Sequence, residues 1–459
     1  SDERNGRMIR TANQQSSDTV YKKITQLQEA INYYQHEQVH GADKQSINTL
    51  LRSTEYELSQ LTRKMKTETP GAEKELLGLI KNIPPNISLL EFFEGEDSSY
   101  IIEATAGGVQ SIRSIAGSRQ LGATIQQFMK TWFDNAGAMQ NDPKKFYASA
   151  HALYQAIFGD YAWQKDRRYI LVPDGLFNYL PFDALLTEPG YKNNFSDWPW
   201  LLKKAGYSRA YSLQTWHQQQ SMTYQSTDFN GFFIGKNKAA QQPQLSVEQE
   251  YRSLQSLVSG QYFVNTTATW QQFNEAADSA GILHIGSHAM MTSGDSVPFL
   301  QLYDKPFYLF DLRYKKFSPA LVVLGACKTA DGLLLQGEGI NSLSRGFTAA
   351  GAGGVVSGLW NVNDETAIAF MEIFYKKLQH HDAAFALQEA KRQWLKKNGD
   401  DPALQLPYYW SGFIYSGHLQ PVKLEKRGSN WMYYGLLLLA VLFSGILFRF
   451  LQLRSRRKS

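Results

Sequence analysis

The stretch LVVLGACKTADG, Leu321 to Gly332, passes from aliphatic residues through a glycine to the only cysteine among 459 residues, then into a polar loop. A short apolar run bounded by turn residues predicts a strand buried on both faces. Cys327 therefore falls at the carboxyl end of a strand. The stretch ILHIGSHA, Ile282 to Ala289, has the same form and brings His288 to the end of a second strand. The two residues are 39 positions apart.

Outward from these runs, strands and helices alternate. RRYILVPDG, GFFIGKN (Gly231 to Asn237), QYFVN and GGVVSGLW are short apolar runs. Between them lie helical patterns: Val247 to Leu257 with Ser246 placed to cap it, a helix begun by Thr269 with Gln272 completing a capping box, then GINSLSRGFTAAG, DETAIAFMEIFYKKLQ and DAAFALQEAKRQWLKKN. The expected fold class is α/β, a mostly parallel sheet with helices on both faces. In such sheets the ligand lies outside the carboxyl ends of the strands. That edge is where Cys327 and His288 fall. A thiolate is a nucleophile, and a nearby imidazole lowers its pKa and serves the leaving group as general acid. A lone cysteine is also a common inert core residue, and the pairing at strand ends is what favours chemistry. His284, four residues before His288, lies deeper in the sheet and reads as a core or supporting histidine.

Composition narrows the classes. Hydrophobic residues make up 43% and charged residues 19% of the chain, as in globular proteins. The net charge of +5 is mild, with part of it in the last six residues, and no nucleic-acid partner is expected. P-loop, dinucleotide-binding and HExxH motifs are absent. One cysteine excludes an internal disulfide and a multi-cysteine zinc site. The chain begins at Ser1 without a signal-peptide pattern, so a mature or trimmed form is expected.

Five segments are expected. Residues 1–83 are helical, a hairpin or the remnant of a tetratricopeptide array, with apolar positions such as Ile24, Leu27 and Ile31 recurring at three and four. Residues 84–120 form a β-meander, with turns at Gly95 to Ser99 and Gly107-Gly108. Residues 121–420 hold the α/β unit. Residues 431–451, beginning WMYYGLLLLAVLFSGILF, are expected to cross a membrane, which takes about twenty apolar residues. Residues 452–459 form a basic tail. Five basic residues after the span against three before it lean toward a cytoplasmic tail and an extracytoplasmic body, with a lipid bilayer as partner.

ILHIGSHA, LVVLGACKTADG and GEGINSLSRGFTAAGAGGVVSGLWNVND together resemble the CHAT domain family, caspase-like cysteine peptidases related to separase and the gingipains. YILVPDGLFNYLPFDALL, with Pro181 and Phe182, resembles the family's N-terminal half, and the likeness covers roughly Ser88 to Gly417. The resemblance implies a caspase-like fold and a dyad of His288 and Cys327 that cleaves a protein substrate. It implies an oxyanion hole made by the backbone N–H groups of Ala289 and Cys327, and no metal or cofactor. Trp360, Asn361 and Asp364 follow the next strand, where related folds build the substrate groove. Trp360 reads equally as a core residue and Asp364 as a helix cap. Two departures stand out. Ala289 replaces the usual glycine, and Lys328 replaces a common acidic residue. They support the alternative of a catalytically inactive scaffold that recruits partners at a membrane. An acyl transferase or amidase using the same dyad is a third reading. An activating protein partner is expected to act through the N-terminal helices.

Overall fold

A computed structural model describes most of residues 72–425 and scattered helical positions between Lys23 and Leu58. Within 72–425, the stretches 135–136, 237–246, 292–297, 309–310, 312–316 and 326–336, and the single positions His288, Asn361 and Asn363, lie outside the described residues.

Eleven strands form one sheet in the order β3-β2-β1-β4-β5-β14-β13-β12-β8-β6-β7. They are β1 (Ile87–Phe93), β2 (Ser98–Thr105), β3 (Gly108–Ala116), β4 (Arg168–Val172), β5 (Gly206–Arg209), β6 (Phe229–Phe233), β7 (Gln261–Val264), β8 (Ile282–Gly286), β12 (Leu321–Leu324), β13 (Gly354–Gly358) and β14 (Phe413–Gly417). Neighbours run parallel except at β1–β2, β2–β3 and β13–β14. The sheet is thus mostly parallel, as the alternating pattern predicts. It is also two parallel blocks of opposite direction, joined where β14 lies against β13. The meander belongs to the same sheet, since β1 pairs with β4 from Ile87↔Arg168 to Glu91↔Val172. Between β8 and β12 a second, three-stranded sheet forms from β9 (Ala289–Met291), β10 (Pro298–Gln301) and β11 (Pro306–Tyr308), where the sequence predicts a long loop.

Helices of eight residues or more cover both faces. They are α1 (Ala72–Lys81), α2 (Ala123–Phe133), α3 (Pro143–Ile157), α4 (Leu213–Ser221), α5 (Val247–Leu257), α6 (Trp270–Ala277), α7 (Gly337–Ala350), α8 (Asp364–Leu378) and α9 (Ala383–Lys397). Their starts are chemically marked. The side chains of Asp142, Ser212, Thr269 and Asp382 accept from the first turns of α3, α4, α6 and α9. One apolar cluster runs under α2, α3, α5, α8 and α9 across both halves of the sheet. On the opposite face α6 and α7 cover the β12–β8–β6 half, and α1 and α4 cover the β1–β4 half. Phe92, Phe146 and Phe182 are fully buried in the shared cluster, each contributing about 1.5–3 kcal/mol relative to exposure.

The expectation of a single-pass membrane protein is overturned. Among the described residues no helix is long and apolar enough to cross a membrane. The longest, α3, α8 and α9, have 15 residues each and are amphipathic, one face on the sheet and one in water. Residues 431–451, on which the bilayer expectation rested, and the tail 452–459 lie outside the described residues.

Candidate active site

β8 (ILHIG) and β12 (LVVL) lie side by side inside the sheet and are buried along their whole length. Aliphatic side chains on both faces explain why both runs read as continuous apolar stretches. Their parallel register is constant: Leu321↔Ile282, Val322↔Leu283, Val323↔His284 and Leu324↔Ile285, an offset of 39 residues throughout. Gly325 N–H donates to Ile285 O at 3.0 Å, which carries the pairing past the last strand residue. Neighbouring strands in such a pair are about 4.8 Å apart. Gly286 and Gly325 thus stand next to each other at the carboxyl edge. Ser287 follows Gly286, fully buried, its hydroxyl donating to Gln301 O of β10. His288, Ala326, Cys327 and Lys328 lie outside the described residues.

Beneath this edge sits a buried polar group that sequence patterns did not reveal. His284 has no solvent exposure. Its Nε2 lies 3.1 Å from Glu250 Oε1 and its Nδ1 3.0 Å from Tyr375 Oη. Burial, with Tyr262 and Glu250 adding to it, pushes the Tyr375 hydroxyl well above its ordinary pKa, so the proton stays on oxygen. One arrangement of a neutral imidazole uses every atom: Tyr375 O–H donates to Nδ1, and Nε2–H donates to the Glu250 carboxyl. Three elements, α5, β8 and α8, are tied together here.

Ala289 begins β9, opposite Leu300 of β10. Trp360 follows β13 and is half-buried. Its indole N–H donates to Tyr408 O at 2.9 Å, its ring lies 4.5 Å from that of Phe133, and a Cβ at Gly412 would come within 2.9 Å of it. The packing role is thus visible in its contacts. Asn361 and the side chain of Asp364 lie outside the description, and α8 begins at Asp364 itself. Among the described residues no cluster of three or more His, Cys, Asp or Glu is arranged to hold a metal.

Because the sheet reverses at β13–β14, it has a second carboxyl edge, at the ends of β1, β4 and β5. That edge is filled by the chain itself. The segment from Asp174 to Leu180 folds over it, with Glu94 N–H donating to Asp174 at 3.0 Å and Leu176 N–H to Glu94 at 2.6 Å. Arg209 at the end of β5 is buried and donates to Asn178 O and Leu180 O, closing the loop. Gly175 has φ +48°, and a Cβ there would strike the Glu94 carboxyl. Lys391 of α9 then pairs with buried Asp183 under the same loop.

A family model described as CHAT domain matches residues 147–418, more than half of the chain. Similar solved structures include a cysteine proteinase and a separase complex. The arginine-specific cysteine proteinase gingipain R is 10% identical, with 67% of this chain and 76% of that one covered and a TM-score of 0.38. The complex of the pro- and mature domains of Porphyromonas gingivalis RgpB gives 8%, 66%, 78% and 0.35. The Saccharomyces cerevisiae separase–securin complex gives 9% identity, 81% of this chain and a TM-score of 0.46. Only 32% of that chain is covered, so the protein spans about a third of its length. No curated protein matches in sequence.

Proposed function

Because the chain belongs to the CHAT domain family, we propose that it is a cysteine endopeptidase in which His288 and Cys327 act as a dyad on a protein substrate. The observation that carries this is the register of β8 and β12. Its offset of 39 residues equals the spacing of His288 and Cys327, which supports a reading in which the ends of the two neighbouring strands carry the pair. The reaction follows from their chemistry. The Cys327 thiolate adds to the scissile carbonyl, and the backbone N–H groups of Ala289 and Cys327 hold the resulting oxyanion. His288 gives a proton to the leaving amine, leaving a thioester on Cys327. Water, deprotonated by His288, hydrolyses the thioester and frees the thiolate. Trp360, Asn361 and Asp364, after β13 at the same edge, belong to the substrate groove in this proposal. A protein that binds the N-terminal helices is proposed as an activator.

The test is to incubate the full chain, beside Cys327→Ala and His288→Ala, with a diverse peptide mixture and read new termini by mass spectrometry. Cleavages that vanish in both variants support the dyad. Cleavages that persist in either sink it. No cleavage, together with a Cys327 no more reactive than free cysteine, supports the inactive scaffold instead.

A further inference from the structure

Glu250 occupies an unusual place for a carboxyl group. On α5 the buried positions are Val247, Glu250 and Leu254, the stripe that faces the sheet, and its neighbours there are apolar. Its exposure is 2%. A leucine would fill the same space without the desolvation cost. What the carboxyl reaches is the pair of glycines at the edge. A Cβ at Gly286 would lie 2.8 Å from Glu250 Oε2, and one at Gly325 would lie 2.7 Å from Oε1 and 2.9 Å from the His284 ring. A Cβ at either position would displace the carboxyl from this place, and one at Gly325 would also press on the His284 ring. One group therefore wedges into a notch shared by two neighbouring strands, two residues before His288 on one and two before Cys327 on the other.

We propose that Glu250 is a positioning residue for the dyad: held by His284, which Tyr375 holds in turn, its carboxyl fills the notch of Gly286 and Gly325 and sets the separation of the two strand ends. This rests on the peptidase reading above. Among the described residues, the titratable groups around the carboxyl are His284 from β8 and Tyr375 from α8. Tyr262 from β7 bears on Tyr375 and spends its hydroxyl on Leu254 O and Val258 O. From β6 the neighbour is Phe233, and from β12 it is Gly325.

The test needs no substrate, because Cys327 is the only thiol. The rate of alkylation by iodoacetamide is followed across a pH series in the full chain, in Glu250→Gln and in His288→Ala, with circular dichroism melts as the folding check. The wild type is expected to titrate below the value of about 8.5 for a free thiol. Glu250→Gln is expected to raise that midpoint by about one unit, with about tenfold slower alkylation at neutral pH, because the imidazole no longer sits against the thiolate. The sign discriminates. Deleting a nearby negative charge without moving the strands would lower the midpoint. A midpoint unchanged or lowered in folded Glu250→Gln overturns the proposal. If Glu250→Gln does not fold, Tyr375→Phe decides, since it removes only the hydroxyl that holds His284. A smaller upward shift supports the proposal and an unchanged midpoint overturns it. If His288→Ala leaves the wild-type profile intact, the dyad itself fails, and the role of Glu250 falls with it.

Discussion

His418 lies face to face with Tyr224, ring centroids 4.6 Å apart, and a Cβ at Gly353 would strike both rings. Its Nε2–H donates to Ala320 O at 3.0 Å, and its Nδ1 accepts from Gln420 N–H at 3.1 Å. Both nitrogens are therefore committed to the neutral form, and a proton on Nδ1 would face another N–H. Burial pushes its pKa below the ordinary 6.5. The unfolded chain then takes up this proton before the folded one does, so the contribution is complete above pH 6.5 and is lost as pH falls through the folded value. His418→Gln should lower the melting temperature at neutral pH, and the gap to the wild type should narrow as pH falls below 6.5. A gap of constant width would contradict this sign. At this scale sequence alone exposes little. Cys327 and His288 could be singled out because residue type and strand-end position coincide. Glu250 could not, because a carboxylate on an amphipathic helix reads as solvated until its neighbours in space are known.

At the level of elements, α9 is anchored at its start by two kinds of contact. Asp382 accepts from Phe385 N–H at 3.1 Å as its cap and takes a two-pronged bond from Arg168 at 2.7 and 2.9 Å, joining the start of α9 to the start of β4. Ala383, Ala386 and Ala390 keep its buried face low against the sheet. Asp382→Ala removes the cap and leaves a half-buried guanidinium unpaired, so it should cost about 2–3 kcal/mol in urea unfolding with the slope unchanged. Asp382→Asn keeps an acceptor for the cap and should cost less. Equal losses would show that the pair with Arg168, and not the cap, carries the whole effect. Most elements were legible in the sequence: β1 to β3 with their turns, β4, β8, β12, β13, and helices α5, α8 and α9. β5 (GYSR) and β14 (FIYSG) were not, nor were β9 to β11. These runs are short, and their pairing comes from partners distant in the chain, which local pattern does not carry.

Across the whole molecule, one apolar cluster joins residues from β1, α2 and α3 to Trp410 and Phe413 near the C-terminal end of the described chain. Residues 147–418, the part matched by the family model, lack β1 to β3 and α2. Made alone, that part should be insoluble, or compact without a cooperative melt, because β4 loses its partner β1 and Phe182 and Trp198 lose Phe92 and Phe146. A soluble 147–418 with a single sharp transition would show two independent units. By itself the sequence determined the fold class, the two strands β8 and β12, and the 39-residue spacing of the histidine and cysteine that follow them, because hydrophobic period and residue type are local properties. Tertiary structure alone decided that the sheet reverses at β13–β14 and so has two carboxyl edges, one filled by the chain's own loop. It alone decided that a carboxyl from α5 meets two glycines on neighbouring strands. Strand direction and contacts between distant residues are set by packing among elements, and no window along the chain contains them.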